Sequence, residues 1–89
     1  MREFSVEENL KKELQKIAKK DRVLYEATMK KIEDILSNPD VHHYKNLRSP
    51  LQQYKRVHIK SSFVLLFRYL EVEDKIIFCD LSHHDFVYQ

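Results

Sequence analysis

Across the segment from Pro39 to Gln53 the spacing of apolar residues changes from a helical period to an alternating one. One kind of element cannot satisfy both spacings, because side chains realign every three to four residues on a helix and every two on a strand. The chain must therefore fold as a block of helices followed by a block of strands. Before the change, Val6, Leu10, Leu14 and Ile17 recur at helical spacing. Ser5 with Glu8 three residues later reads as a capping box, so a first helix is expected over about residues 6–19. Asp21 is placed to cap a second helix, whose apolar stripe is Tyr25, Thr28, Met29, Ile32, Ile35 and Leu36. Asn38 and Pro39 end it, since proline cannot continue a helix. The two helices are expected to form an antiparallel hairpin. Its outer faces, Lys30 and Lys31 included, read as solvated surface.

After the connector, "YKRVHIK" alternates, with Val57 and Ile59 on one side and Arg56, His58 and Lys60 on the other. Ser61 and Ser62 make a turn, "FVLLFRYL" reads as a central strand, "EVED" as the next turn, and "KIIFCDL" as a third strand. Residues 1–4 are a candidate short edge strand. The expected architecture is α+β: a helical hairpin on one face of a small antiparallel sheet of three to four strands. Directly opposed residues share a face. With two loop residues at Ser61–Ser62, one face holds Tyr54, Arg56, His58, Lys60, Phe63, Leu65, Phe67 and Tyr69, and Val57, Ile59, Val64 and Leu66 meet the helices. A basic row beside aromatics suits single-stranded RNA, which stacks its bases and pairs its phosphates with cations. The alternative is an ordinary strand whose aromatics lie under the connector.

Length and composition narrow the function classes. Eighty-nine residues, 43% of them hydrophobic and 34% charged, fit one folded domain over residues 1–89. The formal net charge is only +2, so a nucleic-acid surface requires clustering of charge, not an excess of it. A single cysteine, Cys79, excludes an intrachain disulfide and fits a cytoplasmic protein. The amino terminus is charged and "FVLLF" is too short to cross a bilayer, so no membrane partner is expected. With no glycine, other residues must make every turn.

Five histidines, at 42, 43, 58, 83 and 84, invite a metal reading. Neither C-x-x-C nor H-E-x-x-H occurs, and adjacent histidines on a strand point to opposite faces, so no metal or other cofactor is expected. General acid–base chemistry fits better. RNA supplies its own nucleophile, the 2′-hydroxyl; its cleavage needs a base, an acid and cations around phosphorus. His58 with His83 or His84 meets that need, and polar surface histidines are the competing reading.

The ordered set "NLRSPLQQYKRVHIKSSFVLLFRYLEVEDKIIFCDLSHHDFVY" resembles the RelE/ParE superfamily of toxins from toxin–antitoxin modules, nearest its ribonuclease branch, RelE and YafQ, through "HIKSSFVLLFRY" and "SHHDF". The resemblance implies a ribosome-dependent, metal-independent mRNA endoribonuclease that inhibits translation and is silenced by a RelB-like antitoxin. It implies catalytic roles for His58, His83 and Tyr88, with Lys45, Lys55, Arg56, Lys60 and His84 as RNA contacts. Lys45, His43 and His42 compete for the place of the YafQ connector histidine. Ser62 stands where the YafQ branch has an acid, and Val64 where RelE has Arg. The alternatives are a ParE-like poison of DNA gyrase and a non-catalytic module that binds antitoxin.

Overall fold

The computed structural model describes residues 2–83, and apart from one short strand ahead of the helices its elements follow the two-block order that the period change demands. A short strand β1 (Glu3–Val6) precedes helices α1 (Glu8–Lys20) and α2 (Arg22–Ser37). A 3-10 turn at Val41–His43 opens the connector, and strands β2 (Lys55–Ile59), β3 (Phe63–Leu70) and β4 (Lys75–His83) follow. The strand order is β1-β4-β3-β2. β2, β3 and β4 form the expected antiparallel meander. The edge strand is present, but it runs over residues 3–6 and pairs parallel to β4, so the sheet is mixed.

That pairing displaces the first helix. Ser5 lies opposite Ile77 in β1 rather than capping α1. The backbone N–H of Glu7 donates to the Phe78 carbonyl at 3.0 Å, and the helix begins at Glu8 with no side-chain cap. A ladder of backbone bonds outweighs one serine cap, whose loss costs about 1 kcal/mol. Asp21 does cap α2: its carboxylate accepts from the Leu24 N–H at 3.1 Å.

The helices share one face of the sheet, α1 against β4 and α2 against β2. Leu10, Ile35, Ile59, Leu65, Phe67, Ile76 and Phe78 are completely or almost completely buried between the layers. Each contributes about 1.5–3 kcal/mol by leaving water. Thr28 is also fully buried, and its hydroxyl is satisfied by donating to the Leu24 carbonyl at 2.8 Å.

The register corrects the expected assignment of faces. Ile59 pairs with Phe63, so the β2–β3 loop has three residues, 60–62, not two. An odd count inverts the parity of β3 relative to β2. Phe63, Leu65, Phe67 and Tyr69 therefore join Val57 and Ile59 on the helix side, and Val64 and Leu66 fall on the side of Arg56 and His58. The extra loop residue is Lys60, which takes a left-handed backbone with φ 56°. The "EVED" turn has its expected four residues, with Leu70 opposite Lys75. The register then slips between Leu66 and Phe67, leaving Cys79 as the extra residue of a bulge between Phe78 and Asp80. Ile76 and Phe78 before the bulge and Leu81 and His83 after it therefore share the helix side.

Candidate nucleic-acid interface

The face of the sheet turned away from the helices carries the polar residues. Along β2 it presents Arg56 and His58, whose Cα atoms are about 7 Å apart by strand geometry. Across the sheet, Arg56 stands opposite Leu66, which stands opposite Asp80; His58 stands opposite Val64, which stands opposite Ser82. Arg68 continues the face along β3, opposite Ile77. The Ser82 hydroxyl donates to the Asp80 carboxylate and fixes its position. Two guanidinium groups, an imidazole and an oriented carboxylate therefore share one surface. Arginine matches the fork geometry of phosphate oxygens, and histidine moves protons near neutrality. Arg68, Asp80 and Ser82 were not singled out from sequence. Asp80 was the available signal, a charge inside an apolar run, but its side could not be read without the bulge at Cys79.

The other expected residues are distributed differently. Lys55 points to the helix side and is almost buried, 7% exposed. Its ammonium donates to the Tyr44 carbonyl at 3.1 Å and to Asn46 Oδ1 at 3.0 Å, tying the connector to β2. Burial lowers its pKa, opposed in part by Asp40. It also lines a cleft of about 300 Å³ with His42, Asn46, Gln53, Arg68 and Glu71. This cleft opens where β3 runs past the end of β2, since Lys55 is the first residue of β2 and pairs with Phe67. Lys45 is exposed on the connector, and its carbonyl accepts the Arg56 N–H at 2.9 Å, which helps seat Arg56. Lys60 is exposed at the tip of the β2–β3 loop.

His83 lies on the helix-side parity, opposite Phe63, with ring centroids 5.6 Å apart and nearly perpendicular. His58 and His83 thus occupy neighbouring rungs but opposite parities. His84 and Tyr88 lie outside the described residues, as do Asp85 and Phe86. In the connector, His42 pairs with Glu71 at 3.3 Å and meets the edge of Tyr69, while His43 meets Tyr44. Among the described residues no cluster of three or more His, Cys, Asp or Glu is placed to hold a metal ion. Cys79 is buried, and burial pushes its thiol up to about 12, so it is an inert core group at neutral pH. Among the described residues, no helix is long and apolar enough to cross a membrane.

A second polar assembly braces the end of the sheet at the β3–β4 turn. Arg2 Nε donates to Asp74 at 2.7 Å, and the Tyr69 hydroxyl donates to the same oxygen at 2.8 Å. The guanidinium also donates to the carbonyls of Asn38 and Pro39, so it joins β1, the β3–β4 turn and the end of α2.

No family model matches the chain. A Methanocaldococcus jannaschii protein provisionally named toxin RelE4 is 48% identical over 89 residues, covering 100% of this chain and 93% of that one. The YoeB/ParE toxin of Agrobacterium tumefaciens has the same fold, with a TM-score of 0.78 over 92% of this chain and 98% of that one at 11% identity. Escherichia coli RelE, solved as the RelBE toxin–antitoxin complex, superposes with a TM-score of 0.70 over 92% and 95% of the two chains at 16% identity. Two helices on one face of a four-stranded sheet, and a relative so similar along its whole length, place this chain in the RelE family of toxins.

Proposed function

We propose that the protein is a ribosome-dependent endoribonuclease that cuts mRNA without a metal and is held silent by a RelB-like antitoxin. The observation that carries the reading is the grouping of Arg56, His58 and Arg68 on the sheet face left uncovered by the helices. In the proposed reaction a base takes the proton of the 2′-hydroxyl, and the freed oxygen attacks the adjacent phosphorus. The bond to the 5′-oxygen breaks, and that oxygen leaves with a proton from an acid. The products are a cyclic phosphate and a 5′-hydroxyl, and no co-reactant is consumed. His58 is assigned one of the two proton transfers. His83 and Tyr88 are assigned the other together with substrate positioning. Arg56, Arg68, Lys60, Lys45 and His84 are assigned to phosphate contacts, and Lys55 to the wall of the adjoining cleft. Expression of the chain with and without its antitoxin, followed by mapping of mRNA ends, tests the reading. Codon-phased cuts are expected, each with a cyclic phosphate on its 5′ fragment.

A competing reading on the same fold is a poison of DNA gyrase. DNA breaks with intact mRNA in the same experiment identify it. An antitoxin also requires an apolar seat. Phe4 and Met29, two of the exposed large apolar side chains, line one groove of about 510 Å³ between β1 and α2, with Tyr25, Ile32 and Leu36. Met29→Glu is expected to weaken antitoxin binding and leave the fold intact.

A further inference from the structure

β3 outruns its neighbour. β2 begins at Lys55, opposite Phe67, so Arg68 to Leu70 extend past its start. The connector closes over that stretch with His42, Asn46 and Gln53 and leaves a cleft of about 300 Å³. The charges that line it are unevenly committed. Glu71 is paired with His42 at 3.3 Å. Lys55 is 7% exposed, and an ammonium has three N–H donors. The Tyr44 carbonyl and Asn46 Oδ1 take two of them, which leaves one for the cleft. Arg68 is half-buried. The ion pairs among the described residues are Arg2–Asp74, Arg22–Glu26 and His42–Glu71, and none engages Arg68 or Lys55. Two cations drawn out of water in one cleft favour an anion between them. Beside them the rings of His42 and Tyr69 meet edge to face, with centroids 5.7 Å apart. Gln53 is exposed and brings a carboxamide, a donor and an acceptor side by side.

We infer that this cleft seats a single adenine nucleotide, with its phosphate on Lys55 and Arg68, its base stacked on His42 and the edge of that base read by Gln53. The volume is at the small end for a ligand site, which suits one nucleotide and excludes a longer piece. Arginine and lysine take the phosphate, and an unpaired base stacks on a histidine or tyrosine ring. A glutamine amide matches adenine, whose amino group donates beside a ring nitrogen that accepts. An adenine nucleotide arrives either free or within an RNA strand. Position favours the strand. Arg68 also lies on the open face of the sheet, its Cα about 8 Å from that of Arg56 by strand geometry. An RNA strand that crosses Arg56 and His58 can turn over the edge of β3 and lower one base into the cleft. Cleavage then depends on an adenine at a fixed distance from the scissile bond. This dependence rests on the endoribonuclease reading, whereas binding of the nucleotide rests on the cleft alone.

The test is NMR titration of the isotope-labelled intact chain with adenosine monophosphate, cytidine monophosphate and inorganic phosphate. The adenine nucleotide is expected to shift the His42, Gln53 and Arg68 resonances. It should bind at least about fivefold more tightly than the cytosine nucleotide, the lower end of what one bidentate amide–base pair discriminates. Gln53→Glu replaces the amide by a carboxylate that accepts from the cytosine amino group, so the ratio should reverse. Arg68→Gln should weaken all three ligands alike, and circular dichroism confirms that both variants fold. Absence of shifts at His42 and Gln53 up to millimolar nucleotide overturns the proposal, as does equal affinity for the two nucleotides. So does tighter binding of a poly-glutamate peptide than of adenosine monophosphate, which assigns the two cations to an acidic polypeptide. Mapped mRNA ends then separate the sources of the nucleotide. Cuts at a fixed offset from adenine in the wild type, and from cytosine in Gln53→Glu, place it in the strand. Cuts with no base preference overturn the strand assignment and leave the free nucleotide as the ligand. A chain that binds adenosine monophosphate through Gln53 yet leaves mRNA intact refutes the nuclease reading and leaves the cleft as a site for the free nucleotide.

Discussion

The two faces of the sheet use the same strands for opposite purposes. On the helix side Leu65, Phe67, Ile76 and Phe78 are fully buried and belong to one cluster with Leu10 and Ile35. On the other side Arg56, His58, Arg68, Asp80 and Ser82 share the face with Val64, which is buried, and Leu66, which is half-buried. Neighbours in sequence such as Val57 and His58 thus fall into different energetic categories. A residue on the first face is judged by volume, because interiors are packed like organic crystals. A residue on the second is judged by charge and proton affinity. Substitutions that separate stability from activity test that division.

The largest effect is expected on the packed face. Phe67→Ala removes a ring that meets both Tyr44 and Phe78, and such a truncation costs about 3–5 kcal/mol. That is a large part of the stability of a small domain, so chemical denaturation should show a protein largely unfolded at modest urea. His58→Ala, on the exposed side of the next strand, should unfold at nearly the wild-type urea concentration and lose about 10²–10⁴ in cleavage rate. Cleavage at the wild-type rate by the folded variant would remove His58 from the proposed chemistry. A large fall in stability would merge the two faces into one structural unit.

Lys55 sits on the boundary between the two purposes. It belongs to the packed side yet carries a charge, and its worth should be structural. Lys55→Ala leaves the Tyr44 carbonyl and the Asn46 amide without their donor, a loss of about 1–3 kcal/mol. Burial lowers the folded pKa below the ordinary lysine value, so the unfolded chain binds more protons between the two values. Stability in the wild type should rise with pH through that alkaline window, and the rise should be absent in Lys55→Met. Urea midpoints at a series of alkaline pH values measure it.

How much of this was visible beforehand depends on which physical signal carried it. The change of period at the connector specified helices before strands, and the apolar stripes identified Leu10, Ile32, Ile35 and Leu36 as core. Alternation in "YKRVHIK" separated Arg56 and His58 from Val57 and Ile59 correctly, because that strand is half polar. "FVLLFRYL" and "KIIFC" are nearly uniform in hydrophobicity, so they carry no parity of their own. Their faces depended on a loop count and a bulge, and both rest on backbone conformations that Lys60 and Cys79 do not advertise. The Arg2–Asp74 pair, 72 residues apart in sequence, left no local trace at all. The resemblance of "SHHDF" to relatives located a candidate tail without saying how it lies on the domain.

A smaller effect probes the brace at the β3–β4 turn. The Tyr69 hydroxyl, and after it Arg2, hold the Asp74 carboxyl below the usual carboxylate range. A depressed folded pKa means stability that is complete above the unfolded value, about 3.9 for Asp. It is lost as pH falls through the lowered folded value. Asp74→Asn should therefore melt below the wild type at neutral pH, with the gap closing as pH drops below about 4. Thermal melts of both proteins at neutral and acid pH make the comparison, and a gap that persists unchanged into strong acid would show that the pair contributes nothing through its charge.

The smallest effect concerns Lys60, the residue whose conformation set the parity of the whole face. A left-handed backbone costs a non-glycine residue roughly 1–2 kcal/mol, and Lys60 adopts it at φ 56° in a chain without a single glycine. Glycine at this position removes the steric conflict but adds about 0.5–1 kcal/mol of chain entropy to be lost on folding. Lys60→Gly should thus gain about 0.5–1 kcal/mol, visible as a higher urea midpoint with an unchanged slope. The same substitution deletes a cation from the loop beside Arg56 and His58. If Lys60 contacts phosphate as proposed, cleavage should weaken at physiological salt while stability increases, and the loss should shrink at low salt, where the remaining cations suffice. A variant that is more stable and cuts mRNA as well as the wild type would show that Lys60 serves only to count the loop. A variant that is less stable would mean that its side chain, and not its backbone, holds the turn.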